Sequence, residues 1–172
     1  MAIRSLRNYP DSSRPKRQVL VMKILVAIDS SIYADEILKQ LASRPWPSDA
    51  CFKILTVVEP TKNWEIEQTY LHQCRLILNQ RIESFKNKLP DAQIKGQVQE
   101  GSAAGTIVKC ADEFGADLLV MGSHGDTGTR KPTIGSVAAA VVNNANCSVE
   151  IIKLHETGSK KTQEHTTTGA HK

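Results

Sequence analysis

The chain has few of the features that announce a membrane protein, a disulfide-stapled domain or a fast enzyme. Within its 172 residues no apolar stretch reaches the ~20 residues needed to span a bilayer. The N-terminus is basic but carries no apolar core segment, so no secretory signal is expected there. Four cysteines, Cys51, Cys74, Cys110 and Cys147, include no C-x-x-C pair. That scatter argues against a disulfide framework, and a reducing cytoplasm is the expected compartment. No Walker A sequence, H-x-G-H or Ser/His/Asp set is present. His155, His165 and His171 are too dispersed for a metal site. His124 has no titratable partner apparent nearby, and acid–base work needs one in reach.

Net charge on the folded part is close to zero. Residues 1–22 hold five basic residues against Asp11, and residues 155–172 hold three lysines against two glutamates. Of the overall +4, the segment 23–154 therefore keeps −1. A basic ligand-binding face is missing, which argues against nucleic acid as a partner. We expect a flexible basic extension over 1–21, one nucleotide-binding α/β domain over 22–154, and a disordered tail over 155–172, where nothing offers a core. Met22, just before the first strand, would serve as an alternative start.

What the chain does have is alternation. Lys23–Ile28 is a short apolar run suited to a strand buried on both faces. A helix to about Ser43 follows, for which Ser30 or Ser31 is the expected cap, and Pro45 and Pro47 stop it. Phe52–Val58 reads as a strand. Asn63–Leu89 contains neither Gly nor Pro, and Ile66, Tyr70, Leu71, Cys74, Ile77, Leu78, Ile82 and Phe85 recur at helical steps. Ile94–Gln99 is a weaker, more exposed strand. A helix carrying Ile107, Val108, Ala111 and Phe114 ends at Gly115. Asp117–Met121 and Ser148–Leu154 are strands, separated by a helix over Ser136–Asn146 whose asparagines would supply a left-handed cap. The expected fold is α/β: a Rossmann-like open five-stranded parallel sheet with helices on both faces.

Between the fourth strand and the fourth helix, residues 122–136 read G-x2-G-x9-G-S. Glycines let backbone approach an anion, and the unpaired N–H groups of a following helix point at it. A tight turn needing no ligand would use the same glycines, but three of them with a hydroxyl at the helix start favour phosphate. Thr127, Thr129, Arg130, Lys131 and Thr133 add polar groups, to phosphate or to solvent. Ligands of such sheets bind beyond the carboxyl ends of the strands, where strand order reverses. Asp29 ends the first strand. It would cap the next helix or touch a ligand, and the order 3-2-1-4-5 would bring it and the glycine loop to one crevice.

Four blocks, Met22–Ser30, Asp117–Gly125, Gly135-Ser136-Val137 and Asn146–Val149, resemble the universal stress protein family, specifically its ATP-binding branch. The resemblance covers about residues 22–154. It implies ATP as the ligand, with Mg2+ or Mn2+, and it implies the order 3-2-1-4-5. It places Asp29 near ribose or adenine and Val57 beside adenine. Met121, Gly122, Gly125, Gly135, Ser136 and Val137 would surround ribose and phosphates. Family members commonly dimerise through the fifth strand, where Val149, Ile151, Ile152 and Leu154 would lie on a sheet edge open to pairing. Here Ser148 stands where the family often has proline, and Glu150 interrupts the apolar run. The expected function is an ATP-binding stress or signalling homodimer with little or slow hydrolysis. The competing reading is an enzyme of a related adenine-nucleotide fold, a nucleotidyltransferase or ligase, which would need a catalytic motif not seen here.

Overall fold

The computed structural model of the chain describes residues 21–123 and 134–153. Strands and helices alternate: β1 (Lys23–Ala27), α1 (Tyr33–Ala42), β2 (Cys51–Val58), α2 (Trp64–Lys86), β3 (Gln93–Glu100), α3 (Ala103–Phe114), β4 (Leu118–Gly122), α4 (Ser136–Asn144) and β5 (Ser148–Ile152). The strands form one parallel sheet in the order β3-β2-β1-β4-β5. This is the expected Rossmann-like arrangement, each crossover being a helix long enough to return the chain to the same edge. No helix among the described residues is long and apolar enough to cross a membrane.

The continuous apolar run of β1 is used on both faces. Ile24, Val26 and Ile28 pack with α1 and α2, while Leu25 and Ala27 pack with α3 and α4. Phe52 on β2 is fully buried, with edge-on contacts to Trp46 at 5.2 Å and Phe85 at 5.3 Å between ring centroids. β3 is the wettest strand, as its weak alternation suggested: only Ile94 is buried there. All four cysteines are free.

Several local expectations need correction. Neither Ser30 nor Ser31 caps α1; Ile32 stands at the cap position with no side-chain hydrogen bond to the helix. The stripe of α2 starts late. Leu71, Cys74, Leu78, Ile82 and Phe85 are buried, but Ile66 is 62% and Tyr70 41% exposed. Length explains this. The 23-residue helix is about 34 Å long, whereas the eight-residue β2 is about 26 Å, so the first turns of α2 overhang the sheet. Asn63 caps that overhang, accepting from the backbone N–H of Glu65 and Ile66.

Gly115 ends α3 in the left-handed conformation (φ +64°), as expected. α4 does not end that way: Ala145 follows it in an extended conformation, and no non-glycine residue among those described has positive φ. The asparagines act through their side chains instead. Asn144 donates to the Ala140 carbonyl, and Asn146 donates to the Asp112 carboxylate. β5 is an edge strand, as is β3, but Ile152 is not an edge side chain; it is 5% exposed and belongs to the α1/α2 face of the core. Leu154 lies outside the described residues.

Candidate functional site

β1 and β4 are adjacent and parallel, with Ala27 opposite Met121. From this pair the sheet grows outward both ways, toward β2 and toward β5. Their carboxyl ends therefore flank the one reversal of strand order, where a crevice opens between the diverging connections. Asp29 follows β1 directly, and Gly122 is the last residue of β4.

The two ends of the glycine loop meet at this point. Ser123 donates its N–H to the Ile152 carbonyl at 3.0 Å, which carries β4 one bond past Gly122. Gly135 then donates to the Ser123 carbonyl at 2.9 Å. Residues 124–133, which include Gly125, His124 and the polar groups of the spacer, lie outside the described residues. Their anchor points do not: the chain leaves at Ser123 and returns beside it, so α4 starts at the end of β4. Gly135 is the helix-cap residue and Ser136, the hydroxyl residue at the helix start, is the first helical one. Gly135 makes no side-chain bond because it has none. Among the described residues no side chain caps α4, so its first amides keep their donors for another acceptor.

An apolar wall stands beside these groups. Val57, Met121 and Val137 come from β2, β4 and α4, yet they belong to one cluster on the α3/α4 face of the sheet. Met121 is buried, while Val57 and Val137 keep part of their surface. Strand parity explains the grouping: Leu55 and Val57 share a face of β2, as Leu119 and Met121 share a face of β4.

Asp29 is half-buried and shapes the turn into α1. Its Oδ1 accepts from the Ser31 backbone N–H at 3.1 Å and from the Ser31 hydroxyl at 2.6 Å. Among the described residues, Oδ2 accepts nothing. Aspartates close such turns because the short side chain mimics a backbone acceptor. The α2 helix reaches the same turn. Tyr70 and Ser30 share a hydroxyl–hydroxyl bond of 3.0 Å, and Arg81 donates to the Asp29 carbonyl at 2.8 Å. Sequence reasoning missed Arg81. The one signal was a charged residue at the rim of the buried stripe, next to Ile82 and one turn from Leu78 and Phe85.

Of the eight residues expected at the site, the strand ends and the start of α4 thus bring together Gly122, Gly135 and Ser136, with Val57, Met121 and Val137 forming the wall and Asp29 at the neighbouring strand end. Two shallow grooves lie elsewhere: about 330 Å³ over the overhanging start of α2, and about 540 Å³ between α3 and α4. The first includes Tyr70, whose hydroxyl reaches Ser30 beside the end of β1; the second is lined by α3 and α4 side chains such as Val108 and Ala140. No group of three His, Cys, Asp or Glu side chains able to hold a metal occurs among the described residues.

This architecture defines a doubly wound α/β protein in which Val57, Met121 and Val137 gather on one face and the start of α4 returns to the end of β4, beside the reversal of strand order. The Universal stress protein family matches residues 21–153, and the chain belongs to that family. It is 43% identical over 61 residues to Universal stress protein MJ0531 of Methanocaldococcus jannaschii, spanning 36% of each chain. To Universal stress protein MJ0577 of the same organism it is 33% identical over 75 residues, 42% of this chain and 46% of that one. These alignments thus take in less than half the length of either relative. The solved structure of MJ0577 superposes with a TM-score of 0.68 at 27% identity, over 81% of this chain and 100% of that chain. A universal stress protein crystallised in complex with cAMP superposes with a TM-score of 0.58 at 25% identity, over 77% of this chain and 97% of that chain.

Proposed function

We propose that this protein binds an adenine nucleotide, ATP first among them, in the crevice beyond β1 and β4, and acts as a cytoplasmic stress-response or signalling protein. The observation that carries the reading is the Gly135–Ser123 hydrogen bond, which sets the uncapped start of α4 at the end of the G-x2-G-x9-G-S loop. A helix start with free N–H groups and a positive dipole end suits a phosphate chain. The apolar surface of Val57, Met121 and Val137 suits a purine, and the cAMP complex of a relative supports an adenine-bearing ligand.

In this reading Asp29 turns its free Oδ2 toward ribose or adenine and Val57 borders the base. Met121, Gly122, Gly125, Gly135, Ser136 and Val137 line ribose and phosphates. Mg2+ or Mn2+ would ride on the phosphate oxygens, which supply most of such an ion's ligands when the protein offers few. Hydrolysis is slow or absent, binding being the output, and two copies pair through β5. The glycine loop provides the test. Gly122→Val and Gly125→Val put a branched side chain where backbone must approach phosphate, so calorimetry should show lost ATP affinity in folded variants. Unchanged affinity in both would move the site elsewhere.

A further inference from the structure

Arg81 is a buried cation with an unusual set of partners. Its side chain is 9% exposed. Nε and Nη2 grip the Asp35 carboxylate at 2.9 and 3.2 Å. The rest of the fork goes to backbone: Nη1 to the Asp29 carbonyl at 2.8 Å, and Nη2 to the Ser31 carbonyl at 2.5 Å, with the Ser30 carbonyl at 3.5 Å. One guanidinium from α2 thus contacts three successive carbonyls of the turn that carries Asp29.

Stability alone does not call for this. Arg81 borders the apolar stripe of α2, where a methionine or leucine would pack without the cost of desolvating a charge. Replacing buried ionic groups by apolar ones of similar size is often neutral or stabilising. What a planar, five-donor fork adds is conformational definition: it fixes several acceptors at once, which a point charge cannot do. The turn has need of it. No side chain caps α1 after it, and beside the Asp29–Ser31 contacts Asp29-Ser30-Ser31 is held by a long bond from the Ala34 N–H to the Ser31 carbonyl at 3.3 Å and by the Ser30–Tyr70 hydroxyl pair. Ser31 already occupies Oδ1, so the direction of Oδ2 follows from the backbone conformation that Arg81 holds.

We infer that Arg81 is a positioning residue for nucleotide binding: by clamping the Asp29–Ser31 backbone it orients the Asp29 carboxylate toward the crevice without touching the ligand itself. This rests on the nucleotide reading above, and the experiment keeps the two apart.

The full-length wild type, Arg81→Met, Arg81→Lys, Asp29→Ala and the Asp29→Ala/Arg81→Met double variant are titrated with ATP by calorimetry. Amide hydrogen exchange is followed on the nucleotide-free proteins. Arg81→Met should weaken ATP by about tenfold in the wild-type background and by no more than about twofold when Asp29 is already alanine. Arg81→Lys should recover part of the loss. Without nucleotide, the Ser31 amide of Arg81→Met should exchange roughly tenfold faster while Val26 and Ile54 stay protected. A merely structural arginine would weaken ATP equally in both backgrounds, and that result would overturn the inference. So would unchanged Ser31 exchange, which reads the clamp with no nucleotide present. If Arg81→Met does not fold, the same cycle with Arg81→Lys decides. Wild-type protein that binds no ATP, with Ser31 exchange accelerated as expected, would sink the nucleotide reading and with it the ligand half of this inference, while leaving the clamp standing.

Discussion

Replacing Asp29 by alanine and by asparagine separates the two tasks its carboxylate can perform. The turn-closing task is visible in Oδ1, which accepts from Ser31 N–H at 3.1 Å and Ser31 Oγ–H at 2.6 Å. Each such bond contributes about 0.5–1.5 kcal/mol net, and the site is half-buried, so Asp29→Ala should cost about 1–2 kcal/mol of stability. For a chain of this length that is a drop of roughly 2–8 °C in Tm. Asparagine keeps an acceptor in the Oδ1 position, so Asp29→Asn should cost less than about 0.5 kcal/mol.

The ligand-binding task has a different signature. A charge-assisted hydrogen bond from Oδ2 to a ribose hydroxyl or adenine amine contributes about 1.5–3 kcal/mol, so alanine should lose roughly ten- to hundredfold in ATP affinity. Asparagine, lacking the charge, should keep about half of that free energy and lose roughly three- to tenfold. Thermal melts and calorimetry on the same preparations read both quantities. Asp29→Ala that melts early yet binds ATP like the wild type would show that Asp29 only closes the turn. The asparagine variant guards against the opposite confusion, since it weakens the ligand contact while leaving the turn closed.

Two further outcomes follow from β5. Arg44 holds Glu150 through paired bonds of 2.7 and 2.6 Å, and this hydrogen bonding draws the Glu150 carboxyl below its ordinary value of 4.5, against the upward pull of burial. A folded-state value below the unfolded one means stability that is present above about pH 4.5 and lost as pH falls through the folded value. Acid melts of wild type should therefore decline more steeply than those of Glu150→Gln, and the difference should shrink in high salt because both side chains are about a third exposed. On assembly, Ile151 is half-buried on the edge strand whereas Ile152 is 5% exposed in the core. Sedimentation should show a wild-type dimer and a folded Ile151→Lys monomer, while Ile152→Lys should fail to fold; a wild-type monomer at micromolar concentration would remove the β5 interface.

The sheet was legible because parallel strands covered on both faces are written as short, uninterrupted apolar runs, and Lys23–Ala27 and Leu118–Gly122 carry that pattern. Helix boundaries were less so. Periodicity places Ile66 and Tyr70 on the same stripe as Leu71, but periodicity carries no information on where the sheet beneath a helix stops. The asparagines at and after the end of α4 were misread for a related reason. Asn is compatible with a left-handed cap, and here Asn146 has a better partner in Asp112, 34 residues earlier in the chain.

The candidate site divides along the same line. Gly122, Gly135 and Asp29 could be picked out because glycine at a strand end or helix start and aspartate at a turn are residue types suited to close approach and turn closure, and only for Asp29 is the turn closure itself seen. Arg81 could not, because apart from the Asp35 carboxylate its partners are carbonyl groups, which every residue has. The Asp29 carbonyl lies 52 residues away in sequence, and nothing about the side chain there advertises the bond. Topology is what makes the contact available. β2 lies beside β1, so the crossover through α2 returns over the α1 face of the sheet and passes the end of β1 on its way to β3. A ligand-facing turn next to the central strand is therefore within reach of that helix, and a long, forked cation at the edge of its buried stripe is the side chain able to span the gap.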